Sequence, residues 1–114
     1  MVTAWMLLLA CGREPVHVPK DTGTPGFCAD APNATWETFG HGFLLTHCQG
    51  CHASTSANRY GAPEGVHFDN EDEARAWRER LIVVILDTQS MPPAGGLSDE
   101  DRLLVESWLY CDLL

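Results

Sequence analysis

Apolar positions recur at helical spacing in three stretches of this chain. The first starts near Asn33 or Thr35 and runs to about Cys48. Its Phe39, Phe43, Leu44 and Thr46 lie three or four residues apart or side by side, which forms a stripe along one side. The second opens on Asn70-Glu71-Asp72-Glu73, whose carboxylates suit a helix N-terminus. It carries Ala74, Trp77, Leu81, Val84 and Ile85 on one face before ending near Leu86 or Thr88. In the third, Ser98 is a natural N-cap ahead of Asp99, Glu100 and Asp101, and Leu104, Val105, Trp108 and Leu109 form the apolar side. Strand-like alternation is essentially absent, so the pattern predicts an all-α fold of three main helices with little or no β structure.

Ahead of these helices the pattern changes. Residues 2–10 are almost wholly apolar, too few to span a bilayer as a helix but enough for the core of a secretion signal. The run Leu8-Leu9-Ala10-Cys11-Gly12 resembles a bacterial lipobox. That resemblance implies that residues 1–10 are a leader, that Cys11 carries lipid after cleavage, and that the protein is anchored to a bacterial membrane. Pro15, Pro19, Pro25 and Pro32, with Gly12, Gly23 and Gly26, argue against regular helix over the next stretch. Residues 11–32 therefore read as a tether and 33–114 as the folded domain. With Cys28 pinned, the free part runs from about residue 12 to 27 and reaches at most about 50 Å when extended.

Length and charge narrow the picture. At 114 residues the chain has room for one domain, whose side-chain core is modest at this size and calls for extra support. Seven Lys and Arg face sixteen Asp and Glu, a formal charge of -9, which argues against nucleic acid or anionic lipid headgroups as electrostatic partners. A basic patch on a protein partner fits better. Five cysteines is an odd number for a secreted chain. With Cys11 assigned to lipid and Cys48 and Cys51 to the motif described next, Cys28 and Cys111 remain. They form either a bridge suited to an oxidising compartment or two inert buried thiols. A bridge closing so long a loop would contribute about 4–5 kcal/mol in the loop-entropy account.

Cys48-Gln49-Gly50-Cys51-His52 is a C-x-x-C-H string, the attachment signature of c-type haem. Two thiols three residues apart near a helix end reach both vinyl groups on one porphyrin edge, and the next residue sets its imidazole under the iron. A zinc site would want a second Cys or His pair at short spacing, and a redox dithiol would want a βαβ context. Neither is visible.

Over about residues 36 to 111 the chain resembles the class I cytochrome c family in the order of its parts: a helix, the C-x-x-C-H string, a loop region, Met91-Pro92-Pro93, and a final helix. The resemblance implies one covalent haem c held by Cys48 and Cys51, with His52 and Met91 as axial ligands. Met1 and Met6 fall in the leader, which leaves Met91 as the one Met of the mature domain, and its soft thioether favours ferrous iron. Gly40 and Leu44 match the family's helix-crossing positions, with Val105 and Trp108 as their partners and the Trp108 indole over the haem edge. Arg59, Tyr60 and Trp77 are candidate donors to the haem propionates, and Pro92 is a candidate haem contact. His67 is the rival for the sixth position, while His17, His41 and His47 are expected elsewhere.

These readings lead to a single-electron carrier in the periplasm or at the cell surface, with no catalytic residue and a redox protein as partner. Two alternatives are a haem enzyme or sensor with an open sixth position, such as a peroxidase-like or gas-binding domain, and a haem-free domain held by metal or disulfides.

Overall fold

The computed structural model describes residues 26–114. The leader, Cys11 and most of the tether lie outside the described residues. Among the described residues the fold is all-α, with no strand, and no helix is long and apolar enough to cross a membrane.

Six helices account for it. A single turn, α1 (Phe27–Asp30), precedes α2, which begins as Trp36–Gly40 and continues as His41–His47. The short α3 (Gln49–His52) carries the end of the C-x-x-C-H string, and α4 (Glu71–Ala76) follows a long loop. The fifth helix, α5, starts as Arg78–Leu81 and continues as Ile82–Asp87, and α6 runs from Asp99–Ser107 into Trp108–Asp112. The three main helices start where the sequence signals them. Thr35 accepts from the Thr38 amide and closes a capping box, Asn70 accepts from the Glu73 amide, and Ser98 from the Asp101 amide.

The structure adds three features to the expected pattern. Phe27–Asp30 is helical despite the surrounding Pro and Gly, because a bond between Cys28 and Cys111 fastens it to the end of α6 across 83 residues of sequence. Residues 27–30, which composition alone places ahead of the folded region, are therefore part of it. Second, the second main helix is broken at Trp77 (ψ 5°), where the backbone leaves helical geometry, while the first ends at Cys48 (φ -124°), where its pattern places the end. Third, wide turns open parts of α2, α5 and α6: the amides of Gly40, Thr88 and Leu113 reach back five residues to the carbonyls of Thr35, Val83 and Trp108, at 2.9, 2.8 and 2.9 Å.

The core sits where α6 meets α2 and the second half of α5. Leu44, Val105, Trp108, Leu109 and Leu113 are fully buried there, with Ile85 and Ala74. Polar ties hold α6 in place: the Arg78 guanidinium donates to the Leu109 carbonyl at 2.6 Å, Arg102 to that of Ile85 at 3.2 Å, and the Trp36 amide to the Asp112 carboxylate at 2.9 Å. Ser107 donates its hydroxyl to the Pro32 carbonyl.

Gly40 is the tightest point of this packing. A Cβ built there would lie 2.3 Å from a ring carbon of Trp108, whose indole fills the space a side chain would need. Gly42, two residues on in the same helix, has open space at the same position. Gly40→Ala is therefore expected to destabilise the protein by about 1–3 kcal/mol or more through overpacking, while Gly42→Ala leaves stability unchanged or raises it by about 0.5–1 kcal/mol. Urea unfolding of the two variants tests the crossing, and equal effects would contradict it.

Candidate functional site

The C-x-x-C-H string stands at a bend. At Cys48 the chain leaves α2, and the amides of Cys51 and His52 return to the Cys48 carbonyl at 3.2 and 2.8 Å, so the pentapeptide closes on itself as one helical turn. Gln49 reaches from this turn to the Phe68 carbonyl at 2.8 Å, and the Phe68 amide donates to the His52 carbonyl at 2.9 Å. These bonds dock the segment 66–69 against His52, whose ring lies 5.2 Å from that of Phe68.

The same segment decides the tautomer of His52. Its Nδ1 is 3.0 Å from the Val66 carbonyl, which can only accept, so Nδ1 carries the proton and Nε2 carries the free lone pair. A carbonyl holding the far nitrogen is the usual arrangement behind a metal-binding imidazole.

The loop between is organised by Arg59. Its guanidinium donates to the carbonyls of Ala62, Ala53, Pro63 and Val66 at 3.2, 2.7, 2.8 and 2.9 Å. Four of its five donors are thereby committed to backbone. Beside it Tyr60 (φ 48°) and Gly61 (φ 87°) form a left-handed pair that turns the chain, with the Tyr60 amide bonded to the Asn58 side chain.

These elements enclose a cavity of about 460 Å³, within the range of cofactor and ligand pockets. His47, Cys48, Cys51 and His52 line it from one side, and Arg59, Tyr60, Val66 and Phe68 from the loop. The second main helix contributes Trp77, Arg80, Leu81, Val84 and Ile85, and the following loop Met91, Pro92 and Pro93. Met91 is held by its amide, which donates to the Val84 carbonyl at 3.0 Å. The walls are mainly apolar. Among the described residues no Asp or Glu lines the cavity, although the chain has sixteen; its charged lining is Arg59 and Arg80. In so acidic a protein this is a local reversal of sign, and it suits an apolar guest with acidic substituents.

Cys48, Cys51, His52 and Met91 therefore share one cavity, together with Arg59, Tyr60, Trp77 and Pro92. Trp108 does not line it. Its ring lies in the helix crossing, 6.4 Å from those of Trp36 and Phe39, because Gly40 leaves room for it there. The expectation that its indole covers a cofactor edge is corrected accordingly. His67 also lies away from the cavity lining, beside Glu73. Sequence reasoning missed Arg80 and His47 as lining residues; Arg80 flanks the apolar stripe of its helix, and His47 immediately precedes Cys48, so their proximity to recognised positions was the available signal.

Cys48 and Cys51 are both free thiols. Burial, reinforced by the neighbouring Cys51, pushes the Cys48 thiol up to about 12. A dithiol redox centre needs the opposite shift.

No protein-family model, curated protein or solved structure matches the chain. The residues themselves therefore carry the functional argument. Their chemistry fits a c-type haem: two unpaired thiols beside an imidazole of fixed tautomer, a thioether on the same cavity, apolar walls, and cationic groups without carboxylates.

Behind the Val66 segment, two carboxylates help hold the loop. Hydrogen bonds from Ser54 keep Asp69 below its ordinary 3.8, and the His67 imidazole and the Asp69 amide keep Glu73 below its ordinary 4.5. A group whose pKa is depressed by folding contributes stability above its ordinary value and loses it as pH falls through the folded value. The loop clip is thus intact at neutral pH and is lost in acid as pH falls through the lowered values of Asp69 and Glu73. Asp69→Asn and Glu73→Gln are expected to lower stability at neutral pH and to flatten the acid limb of urea midpoint plotted against pH. Acid limbs parallel to wild type would contradict this assignment.

Proposed function

We propose that this chain is a single-electron carrier of the c-type cytochrome kind. Haem is joined to Cys48 and Cys51, His52 and Met91 are the axial ligands, and the domain works in the periplasm or at the cell surface on a lipid anchor at Cys11. The observation that carries the reading is the convergence of Cys48, Cys51, His52 and Met91 on one mainly apolar cavity, with His52 Nδ1 occupied by the Val66 carbonyl.

Haem supplies one-electron exchange at its iron when bound. The chain's own residues set the conditions. His52 offers Nε2, and the Val66 carbonyl makes that nitrogen a better donor. Met91 offers a soft thioether that favours the reduced metal and raises the potential. Phe43, Phe68, Leu81, Val84 and Ile85 exclude water and keep the interior apolar. Arg80, the one uncommitted donor of Arg59, the Tyr60 hydroxyl and the Trp77 indole N–H line the cavity and are available to acidic substituents. His52 and Met91 would hold the metal between two side chains of the chain itself, which suits electron exchange without a bound substrate. The acidic surface suits a redox partner with a basic face, which salt would loosen.

The test is the sixth ligand. Protein matured in a host with haem-ligation machinery should show the thioether-to-iron charge-transfer band when ferric and should not take up carbon monoxide when ferrous. Met91→Ala should lose the band, bind carbon monoxide and fall in reduction potential. Ready uptake of carbon monoxide by the wild type would move the reading to a haem enzyme or gas sensor.

A further inference from the structure

Among the described residues, one cluster of ligating side chains lies outside the cavity. His67, Asp69 and Glu73 each present a donor atom, and these atoms all lie within 4.8 Å of one another. His67 and Asp69 come from the loop that docks on His52, and Glu73 from the first turn of α4. The His67 Nδ1 atom is shut off from solvent and faces a Glu73 carboxylate oxygen at 3.0 Å, so the imidazole and the carboxylate are already held together. Two ligands on a tetrahedral ion with bonds of about 2.0–2.2 Å sit about 3.3–3.6 Å apart, a little wider than this pair and inside the 4.8 Å spread of the three donors.

The carboxylates are also held in place. The Asp69 amide donates to the same Glu73 oxygen at 2.7 Å, and the Ser54 amide donates to both Asp69 oxygens at 3.0 and 3.3 Å. Such outer contacts orient carboxylate ligands while leaving lone pairs for an ion.

We propose that His67, Asp69 and Glu73 form a binding site for a divalent transition ion of the zinc class. An imidazole nitrogen with two carboxylates favours such an ion over calcium or magnesium, which take oxygen ligands. Three protein donors leave the fourth tetrahedral position to water. The ion would tie the loop to α4 one residue from Val66, the residue whose carbonyl holds His52. Its role is structural, and it is independent of what fills the cavity.

The test is calorimetric titration of the full chain, freed of metal by chelator, with zinc chloride. Wild type is expected to bind one equivalent that His67→Gln loses or weakens by about tenfold or more, and zinc should raise the melting temperature of wild type but not of this variant. Zinc taken by Cys48, Cys51 and His52 in any haem-free fraction would persist in His67→Gln, so the site is read from the equivalent that disappears. His41→Gln controls for an exposed histidine and should bind as wild type does. Glu73→Gln carries the same expectation as His67→Gln if the latter fails to fold. Unchanged zinc binding in the site variants, equal loss in His41→Gln, or calcium binding as tightly as zinc would overturn the proposal.

Discussion

One hydrogen bond governs the chemistry available to this protein: the Val66 carbonyl accepts from His52 Nδ1. Without it the imidazole could present either nitrogen or turn away; with it, Nε2 is the free donor. The bond depends on a relay of backbone contacts. Arg59 holds the same carbonyl together with three others, and Gln49 and the Phe68 amide lock the following residues onto the C-x-x-C-H turn. The loop between His52 and α4 is thus a device for positioning one ring.

The helices set the space around that ring. Gly40 lets Trp108 settle into the crossing of α2 and α6, which fixes the N-terminal helix and so the bend at Cys48. The second main helix faces the cavity with the same apolar stripe that a fully packed core would use. In a domain this small, a cavity of about 460 Å³ withholds much of the interior from side-chain packing. An apolar guest would restore those contacts, and the bond between Cys28 and Cys111 holds both ends of the domain together.

Much of this was legible in the sequence, for identifiable reasons. Thr35, Asn70 and Ser98 announce helix starts because capping is local chemistry. The stripe at Trp77, Leu81, Val84 and Ile85 is periodic, and all four side chains line the cavity. The break at Trp77 and the wide turns were not legible, since helical propensity is local and these departures answer to packing between helices. Trp108 does pack on Gly40 at the helix crossing, as its position suggests, but that packing takes up the whole indole and leaves none of it on the cavity wall. Arg59 looked like a donor to a ligand, but its bonds to four carbonyls arise only once the loop has closed.

The central claim is that a porphyrin is covalently bound through the paired thiols. Intact mass, measured under denaturing conditions on protein from a haem-ligating host, addresses it most directly. The expected polypeptide is heavier by one haem that survives acid and organic extraction, and the added mass is absent when both Cys48 and Cys51 are replaced by Ala. Wild-type protein from that host with the mass of the bare polypeptide would contradict it.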